Sequence, residues 1–192
     1  MSSDKNVFRF QPLTYERWKD VETLFGEKGA CAGCWCMYWR QTSKEFNQKK
    51  GEGNRVALKR LVKGKTQTGI IAYDNKTPVG WVAFAPREEY KRLETSRVLK
   101  VVDDKPVWSV VCFFINKNYR RKGLTVELLK EAGKHAKKNG ARIIEGYPVD
   151  PKTKDYAPVF AYTGLASAFK KAGFTEVTRR SETRPIMRKI LK

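Results

Sequence analysis

Apolar and polar residues alternate with two different periods along the chain, and this predicts both strands and helices. Residues 7–13 alternate as a short strand does. The apolar residues of the following segment lie at helical spacing: Tyr15, Trp18, Val21, Leu24 and Phe25. Thr42 and Glu45 have the spacing of a capping box and predict the start of a second helix. After the interruption GEGN, Asn54 is expected to cap a continuation of that helix.

Strands dominate the middle of the chain. Residues 68–74 and 78–85 are separated by a polar turn, so they are expected to pair as a hairpin. Residues 87–105 are charged and irregular, and we predict a loop or short helix outside the core. Residues 107–115, VWSVVCFFI, form an almost unbroken apolar run, which is typical of a central strand covered on both faces. Cys112 is expected to be buried in it.

The remaining pattern is a loop at residues 116–125 followed by a helix from about Val126 to Lys138. Four further elements are predicted, namely a strand at 141–149, a short helix at 164–173, and strands at 174–181 and 184–191. No internal repeat is visible. The pattern is that of an α/β protein.

Size and charge limit the kinds of protein that fit. A chain of 192 residues with 41% hydrophobic residues can bury the core of one globular domain. The net charge of +20 favours an anionic partner, which can be nucleic acid, a phosphorylated cofactor or an acidic substrate. No apolar run approaches the roughly 20 residues that span a bilayer, and the first residues are polar. We therefore expect a cytoplasmic protein without a membrane segment, whose cysteines are thiols or ligands rather than disulfides.

The loop after the central strand has the features of a phosphate site. A glycine turn between a buried strand and a helix directs several backbone N–H groups at one point, where the helix dipole adds to them. Arg120, Arg121 and Lys122 bring positive charge, and Gly123 leaves the backbone open to a ligand. The sequence contains neither GxxxxGK[ST] nor GxGxxG with its acidic partner, which argues against an NTPase or a dinucleotide dehydrogenase.

Residues 113–125, FFINKNYRRKGLT, resemble the acetyl-CoA-binding segment of the GNAT superfamily of N-acetyltransferases. Arg120, Gly123 and Thr125 occupy the positions of its signature [Q/R]-x-x-G-x-[G/A], and Thr125 departs from the usual Gly or Ala. Residues 164–177 are similar to the family's later helix and the strand after it. The chain is thus identified as a member of this family, in a subgroup with an N-terminal Cys-Trp-Cys-Met-Tyr-Trp-Arg segment.

The resemblance implies a fold and a reaction. The fold is a single α/β domain over residues 1–192, with a twisted mixed sheet of six to seven strands and about four helices. The reaction is direct transfer of an acetyl group from acetyl-CoA to a primary amine, in a ternary complex and without a metal. The acceptor is a small amine or a peptide of unknown identity, and the protein is expected to be a monomer or a homodimer.

The resemblance also implies which residues bind acetyl-CoA. Central strands that splay apart would let the pantetheine arm pair with the backbone of Phe113 and Ile115. The amides from Arg121 to Thr125 would hold the pyrophosphate. The full predicted set is Phe113, Phe114, Ile115, Arg120, Arg121, Lys122, Gly123, Leu124 and Thr125.

Catalysis requires a base for the amine and a proton for the departing thiolate. Many members of the family use a tyrosine for the second role, but here its position is Phe169, which has no proton to give. Tyr162, Tyr156, Tyr147 or water are the alternatives. Glu145 and Tyr147 alternate onto one face of a predicted strand and are candidates for the base, although Glu145 can equally serve to neutralise nearby Lys and Arg residues.

Residues 31–40, CAGCWCMYWR, combine cysteines with aromatic residues. A closed zinc site needs four ligands, and a helical segment would place Cys34 and Cys36 about 200° apart, so we expect no metal here. In the GNAT family this segment borders the acceptor. The resemblance therefore implies an acceptor pocket, and the alternative is a core helix whose aromatics only pack. The predicted acceptor-binding residues are Trp35, Tyr38, Trp39 and Arg40.

The helix after the loop is rich in lysine, and this leaves a second class of function open. Lys130, Lys134, Lys137 and Lys138 suit either a solvated face that attracts the 3′-phosphate of coenzyme A or a nucleic-acid surface. No RNP motif, zinc finger or helix-turn-helix pattern is evident, which argues against nucleic acid. The alternative function is a basic nucleic-acid-binding or interaction protein without catalysis.

Overall fold

A computed structural model of the protein describes residues 8–152 and 161–192, in which one seven-stranded sheet is flanked by six helices. The strands are β1 (Arg9–Pro12), β2 (Gly69–Asp74), β3 (Thr77–Pro86), β4 (Trp108–Ile115), β5 (Ile143–Gly146), β6 (Thr175–Arg179) and β7 (Pro185–Ile190). The helices are α1 (Trp18–Phe25), α2 (Ser43–Lys49), α3 (Glu52–Lys63), α4 (Lys91–Glu94), α5 (Leu124–Lys138) and α6 (Ala166–Lys171). None of the described helices is both long and apolar enough to cross a bilayer.

The sheet has the order β1-β2-β3-β4-β5-β7-β6. Only the β4–β5 pair is parallel, and the other neighbours are antiparallel. The predicted hairpin is confirmed, because Asp74 of β2 pairs with Thr77 of β3 across a tight turn. The mixed sheet of the predicted fold class is also confirmed, although six helices flank it rather than about four.

Helices cover the sheet on two sides. We call the side packed against α1 and α3 the α1 face, and the side packed against α5 and α6 the α5 face. Strand β4 lies fourth in the sheet and is buried on both sides, since Val110 packs on the α5 face and Val111 on the α1 face. The prediction of a central strand at residues 107–115 is therefore confirmed.

The helix caps follow the sequence in one place and not in another. Thr42 and Glu45 form the predicted capping box, with the Thr42 hydroxyl accepting from the Glu45 amide and the Glu45 carboxylate accepting from the Thr42 amide. The prediction that Asn54 caps the next helix is wrong, because α3 begins at Glu52 with Gly51 as its N-cap. Asn54 is instead buried and donates to the carbonyl of Gly33 at 3.1 Å, which ties α3 to the turn below it.

The prediction that residues 87–105 lie outside the core is partly wrong. Tyr90, Leu93 and Leu99 are buried in the α1 face. Helix α4 contains only Lys91–Glu94, so its apolar residues are too few to produce a visible helical period. The charged residues between them lie at the surface and obscure the pattern.

Replacing two of the glycines by alanine is expected to change the free energy of unfolding in opposite directions. A Cβ on Gly146 in β5 would overlap the ring of Phe169, which is fully buried, whereas a Cβ on Gly133 in α5 would meet Leu191 at an ordinary 3.5 Å. We expect Gly146→Ala to lower the free energy of unfolding by about 1–3 kcal/mol through overpacking. Gly133→Ala is expected to raise it by up to about 1 kcal/mol through helix propensity. Urea denaturation measures both, and changes of the same sign would contradict this packing.

Candidate active site

A bulge in β4 opens the sheet at its centre. Ala83 pairs with Cys112 and Phe84 with Val110, so Val111 has no partner on β3. Both Val111 and Cys112 consequently face the α1 side. The parallel pairing of β4 with β5 ends at Val110, where the bulge begins. A bulge bends its strand and increases the twist, and here it separates the second half of β4 from its neighbour.

The gap beyond the bulge is occupied by the segment that leads into α6. The amide of Phe113 in β4 donates to the carbonyl of Tyr162 at 2.6 Å. On the other side, the amide of Val149 donates to Gly164 at 2.9 Å and the amide of Ala166 to Val149 at 2.8 Å. The Phe113 amide, part of the backbone expected to pair with the pantetheine arm, therefore already has a partner. A ligand carbonyl that takes this amide has to displace the carbonyl of Tyr162.

The basic loop after β4 presents a row of unused backbone donors. Within the described parts of the chain, none of the amides from Arg121 to Thr125 donates a hydrogen bond. Gly123 precedes α5 in the left-handed conformation (φ 80°), and no atom lies within 4 Å of the position that a Cβ would take. The start of α5 thus combines free N–H groups, open space and the positive end of a helix dipole.

The charged side chains of this loop have different roles. Arg120 is tied back to the sheet, since its Nε donates to the carbonyl of Ile115 at 3.1 Å. Arg121 and Lys122 are exposed at the mouth of the loop. An anion at the start of α5 would therefore meet two mobile cations, whereas Arg120 holds the shape of the loop. Pyrophosphate has the charge and the oxygen acceptors that such a site suits.

The candidate bases Glu145 and Tyr147 lie together in a buried ionic network. Glu145 accepts from the Tyr147 hydroxyl at 2.6 Å, from Arg87 at 3.2 Å and from Arg188 Nε at 2.6 Å. Its side chain is 1% exposed. Both carboxylate oxygens thus have cationic partners, and this geometry matches the alternative that Glu145 neutralises nearby arginines.

Tyr147 is equally enclosed. Its hydroxyl accepts from Arg87 at 2.5 Å and lies 2.7 Å from the hydroxyl of Ser109. Burial, and then the charge of Glu145, raise the pKa of Tyr147 well above its ordinary value, so the phenol keeps its proton at neutral pH. The network joins β4, β5 and β7 below the point where the strands separate.

The cysteine-rich segment at residues 31–40 is a series of turns, and the expectation of a helix there is wrong. Ala30, Ala32, Trp35 and Cys36 all have positive φ angles. Each such residue without a glycine's freedom costs about 1–2 kcal/mol, so the surrounding packing has to hold the segment in place. The separation of about 200° that a helix would give Cys34 and Cys36 therefore does not apply.

Most of the predicted acceptor-binding residues are interior. Trp35 stacks on Trp18, and Trp39 is 8% exposed. Arg40 donates to Glu89 at 2.6 Å and to the carbonyl of Gln67 at 2.7 Å, and it lies over the ring of Tyr90. These three residues match the alternative of a packed core.

Tyr38 is the member of this set that reaches the surface. It is 36% exposed, and its ring contacts Tyr162 with centroids 6.3 Å apart. Arg92 stacks over the same ring at 4.0 Å. The structure thus brings together Tyr38, a predicted acceptor residue, and Tyr162, a predicted catalytic residue. It adds Arg92, which the sequence analysis did not identify. Arg92 stands among charged residues, so no sequence signal distinguishes it.

Two of the cysteine thiols, those of Cys36 and Cys112, lie close to each other. Cys36 Sγ is 3.7 Å from Cys112 Sγ and accepts from Trp81 Nε1 at 3.0 Å. Among the described residues, no group of three or more His, Cys, Asp or Glu side chains is arranged to hold a metal ion. Cys112 is partly exposed, so the prediction that it is buried in the sheet is wrong. Its exposure follows from the bulge at Val111, which opens this side of β4.

Phe169 and Tyr156 were the remaining residues of catalytic interest. Phe169 is fully buried and packs its ring against Phe113 and Phe174, so the position has become part of the α5-face core. Tyr156 lies outside the described residues. The lysines of α5 are partly neutralised, since Lys130 and Lys134 pair with acidic residues one turn away.

A seven-stranded mixed sheet that splays beside a basic helix start is the fold of an acyltransferase class. A model of the acetyltransferase (GNAT) family matches residues 32–154, and the chain belongs to this family. A comparison with curated proteins found no match.

Solved structures with the same fold have low sequence identity to this chain. A GNAT-family acetyltransferase from Streptococcus agalactiae has a TM-score of 0.56 at 9% identity, with 96% of each chain covered. One from Streptococcus pneumoniae has a TM-score of 0.54 at 16% identity, with 97% of this chain and 100% of the other covered. The PaiA N-acetyltransferase from Thermoplasma acidophilum, solved in complex with coenzyme A, has a TM-score of 0.52 at 15% identity, with 96% and 99% covered. At these identities the likeness shows the fold.

The buried network predicts the effect of changing Glu145. Glu145→Gln removes the charge that Arg87 and Arg188 share, and breaking a buried pair in this way costs roughly 3–5 kcal/mol. Glu176→Gln is the matched control, because Glu176 pairs with Arg179 at the surface, where an ion pair contributes about 0–1 kcal/mol. Urea denaturation measures both. A stable Glu145→Gln protein that has lost turnover would instead support a role as the base.

Proposed function

We propose that the protein is an N-acetyltransferase that moves the acetyl group of acetyl-CoA to a primary amine by direct transfer in a ternary complex. One observation carries this proposal, namely the row of amides from Arg121 to Thr125, which have no acceptor among residues 8–152 and 161–192 and follow the strand that separates from β5. A pyrophosphate needs such a row of donors. A pantetheine arm carries its own amides and suits the edge of β4 beyond Val110, where β5 no longer pairs and the carbonyl of Tyr162 accepts from the Phe113 amide instead.

Direct transfer requires the neutral amine nitrogen to attack the thioester carbonyl carbon. A C–N bond forms, the C–S bond breaks, the amine loses a proton and the sulfur gains one. The Phe113 amide is the donor placed to polarise the carbonyl, once the Tyr162 carbonyl has left it. Holding both substrates in one cleft supplies most of the remaining catalysis.

Water is the best source and acceptor of protons for this reaction. Burial, more than the nearby Tyr38 and Cys112, raises the pKa of Tyr162 to about 12. A phenol of that pKa is a weaker acid than an ordinary thiol, whose pKa is about 8.5, so it protonates a thiolate poorly. Glu145 and Tyr147 are closed off by their own hydrogen bonds. Their catalytic roles, and that of Tyr162, stay predictions.

The domain organisation, the location and the oligomeric state are also proposals. We propose one domain over residues 1–192, since a single sheet takes its first strand from Arg9–Pro12 and its last from Pro185–Ile190. The cytoplasmic location, and a monomer or homodimer as the working form, stay predictions of the sequence.

The loop is tested by filling the space above Gly123. Gly123→Trp places a large side chain where the backbone is open, and we expect it to weaken acetyl-CoA binding by at least about 100-fold, which is about 2.7 kcal/mol. Isothermal titration calorimetry with acetyl-CoA measures this. Gly140→Trp is the matched control, because Gly140 has a similar φ of 86°, equally open space and a position just beyond the other end of α5. Equal binding by the two variants would mean that the phosphates lie elsewhere.

The reaction itself is tested by thiol release from acetyl-CoA in the presence of amines. We expect acetyl-CoA to raise the melting temperature of the protein and thiol release to require an added primary amine. The N,N,N-trimethylated form of each amine serves as a control, because it keeps the positive charge and has no lone pair with which to attack. An absence of both stabilisation and turnover at millimolar acetyl-CoA would contradict the proposed function.

A further inference from the structure

Four side chains form an aromatic and cationic cluster at the surface between α2, α4 and the segment before α6. We call it the Arg92 cluster, and its members are Tyr38, Phe46, Arg92 and Tyr162. The Arg92 guanidinium lies 4.0 Å from the ring centroid of Tyr38 and 5.5 Å from that of Phe46. Tyr38 packs edge-on against Phe46 at 5.5 Å and against Tyr162 at 6.3 Å.

The cluster adjoins the position assigned to the reacting carbonyl. Tyr162 connects the two, because its backbone carbonyl accepts from the Phe113 amide while its ring contacts Tyr38. Cys112, on the α1-face side of β4, is also close enough to Tyr162 to affect its pKa. An acceptor that reached the acetyl group from the α1 face would therefore pass the Arg92 cluster.

Arg92 is held in a fixed orientation and retains binding capacity. Its Nε donates to the carbonyl of Gln41 at 3.0 Å, and its own amide donates to the carbonyl of Trp39 at 3.2 Å. No acceptor among residues 8–152 and 161–192 bonds to either terminal nitrogen of its guanidinium. Two parallel N–H groups on a stacked, half-buried guanidinium match the two oxygens of a carboxylate.

The charges around the cluster favour an acceptor that carries an anion. Two acidic residues of the adjoining segments are already paired, Glu45 with Lys91 and Glu89 with Arg40. The chain as a whole has a net charge of +20. A polyamine would place several positive charges beside the guanidinium of Arg92 and would be repelled by it. An amine that also bears a carboxylate has no net positive charge, and its carboxylate is attracted to Arg92.

We propose that Arg92 is a specificity-determining residue that binds a carboxylate of the acceptor, and that the acceptor is an amino acid or a similar small amine with a free carboxylate. This inference rests on the proposed function. Tyr38 orients the guanidinium by stacking, and Tyr162 lines the path between the carboxylate and the acetyl group. A protein N-terminus lacks a carboxylate beside its amine and fits this arrangement less well.

The test compares matched pairs of acceptors. Initial rates of thiol release are measured with each natural L-amino acid and with its carboxamide, for the wild type and for Arg92→Gln. We expect the wild type to acetylate at least one amino acid with a kcat/KM about 10- to 100-fold above that of its amide, as the loss of a charged hydrogen-bond pair implies. Arg92→Gln should remove this preference by raising KM for the acid while leaving the amide nearly unchanged.

Two further variants separate binding from folding. Arg92→Lys keeps the charge without the planar fork and should retain only part of the preference. Arg97→Gln is the matched control, because Arg97 is exposed in the same part of the chain, and it should behave as the wild type. The stabilisation of each variant by acetyl-CoA should equal that of the wild type.

The outcomes distinguish a failure of the proposed role of Arg92 from a failure of the proposed acetyltransferase function. If the protein binds acetyl-CoA but shows no preference for acids over amides, the role of Arg92 is overturned and the proposed transferase function is not. Turnover of simple amines or peptides alone has the same meaning. An equal loss of kcat/KM for acid and amide in Arg92→Gln would also overturn it, since this indicates a structural role. No binding of acetyl-CoA by the wild type would overturn both.

Discussion

The bulge at Val111 is the constraint on which the centre of this molecule depends. It uses one unpaired residue to turn β4 away from β5 after only three paired positions. Without it the parallel pair would continue, and the sheet would have no internal edge. Because the edge arises within the sheet, both faces of the protein meet there, with α5 and its basic loop on one side and the turns of residues 31–40 on the other.

The polar interior below this opening is a second consequence. Where strands separate, backbone and side-chain groups lose hydrogen-bond partners. A hydrogen-bonded network joins β4, β5 and β7 where they are still close together, and its members are Glu145, Tyr147, Ser109 and Arg188. Two arginines share one carboxylate there, and Arg188 also reaches Asp103 at 2.7 Å. A network with every member bonded fixes the side chains at the base of the opening, so proton transfer by Glu145 or Tyr147 would require one of these hydrogen bonds to break.

The sequence predicted the strands and the glycine turn before α5 well because their signals are local, whereas phosphate binding by that turn stays a prediction. The apolar run at residues 107–115 and the Gly123 turn need no distant contact to be recognised. The bulge was invisible, since the run remains apolar on either side of Val111. The turns at residues 31–40 were also missed, because Trp35 and Cys36 take left-handed conformations that their side chains do not suggest. Arg92 differs from its charged neighbours through distant contacts, above all with the ring of Tyr38, which is 54 positions away along the chain.

The hydrogen bond from the Phe113 amide to the Tyr162 carbonyl links two sites that are usually considered separately. The backbone carbonyl of Tyr162 accepts from the edge of β4, and the ring of Tyr162 contacts Tyr38 at the surface. Release of the carbonyl therefore repositions a residue of the second site. Occupancies that share such a residue are thermodynamically linked, and each ligand changes the affinity for the other by the same factor. If acetyl-CoA and the acceptor bind as proposed, their coupling passes through a single peptide group, the one that carries the carbonyl of Tyr162.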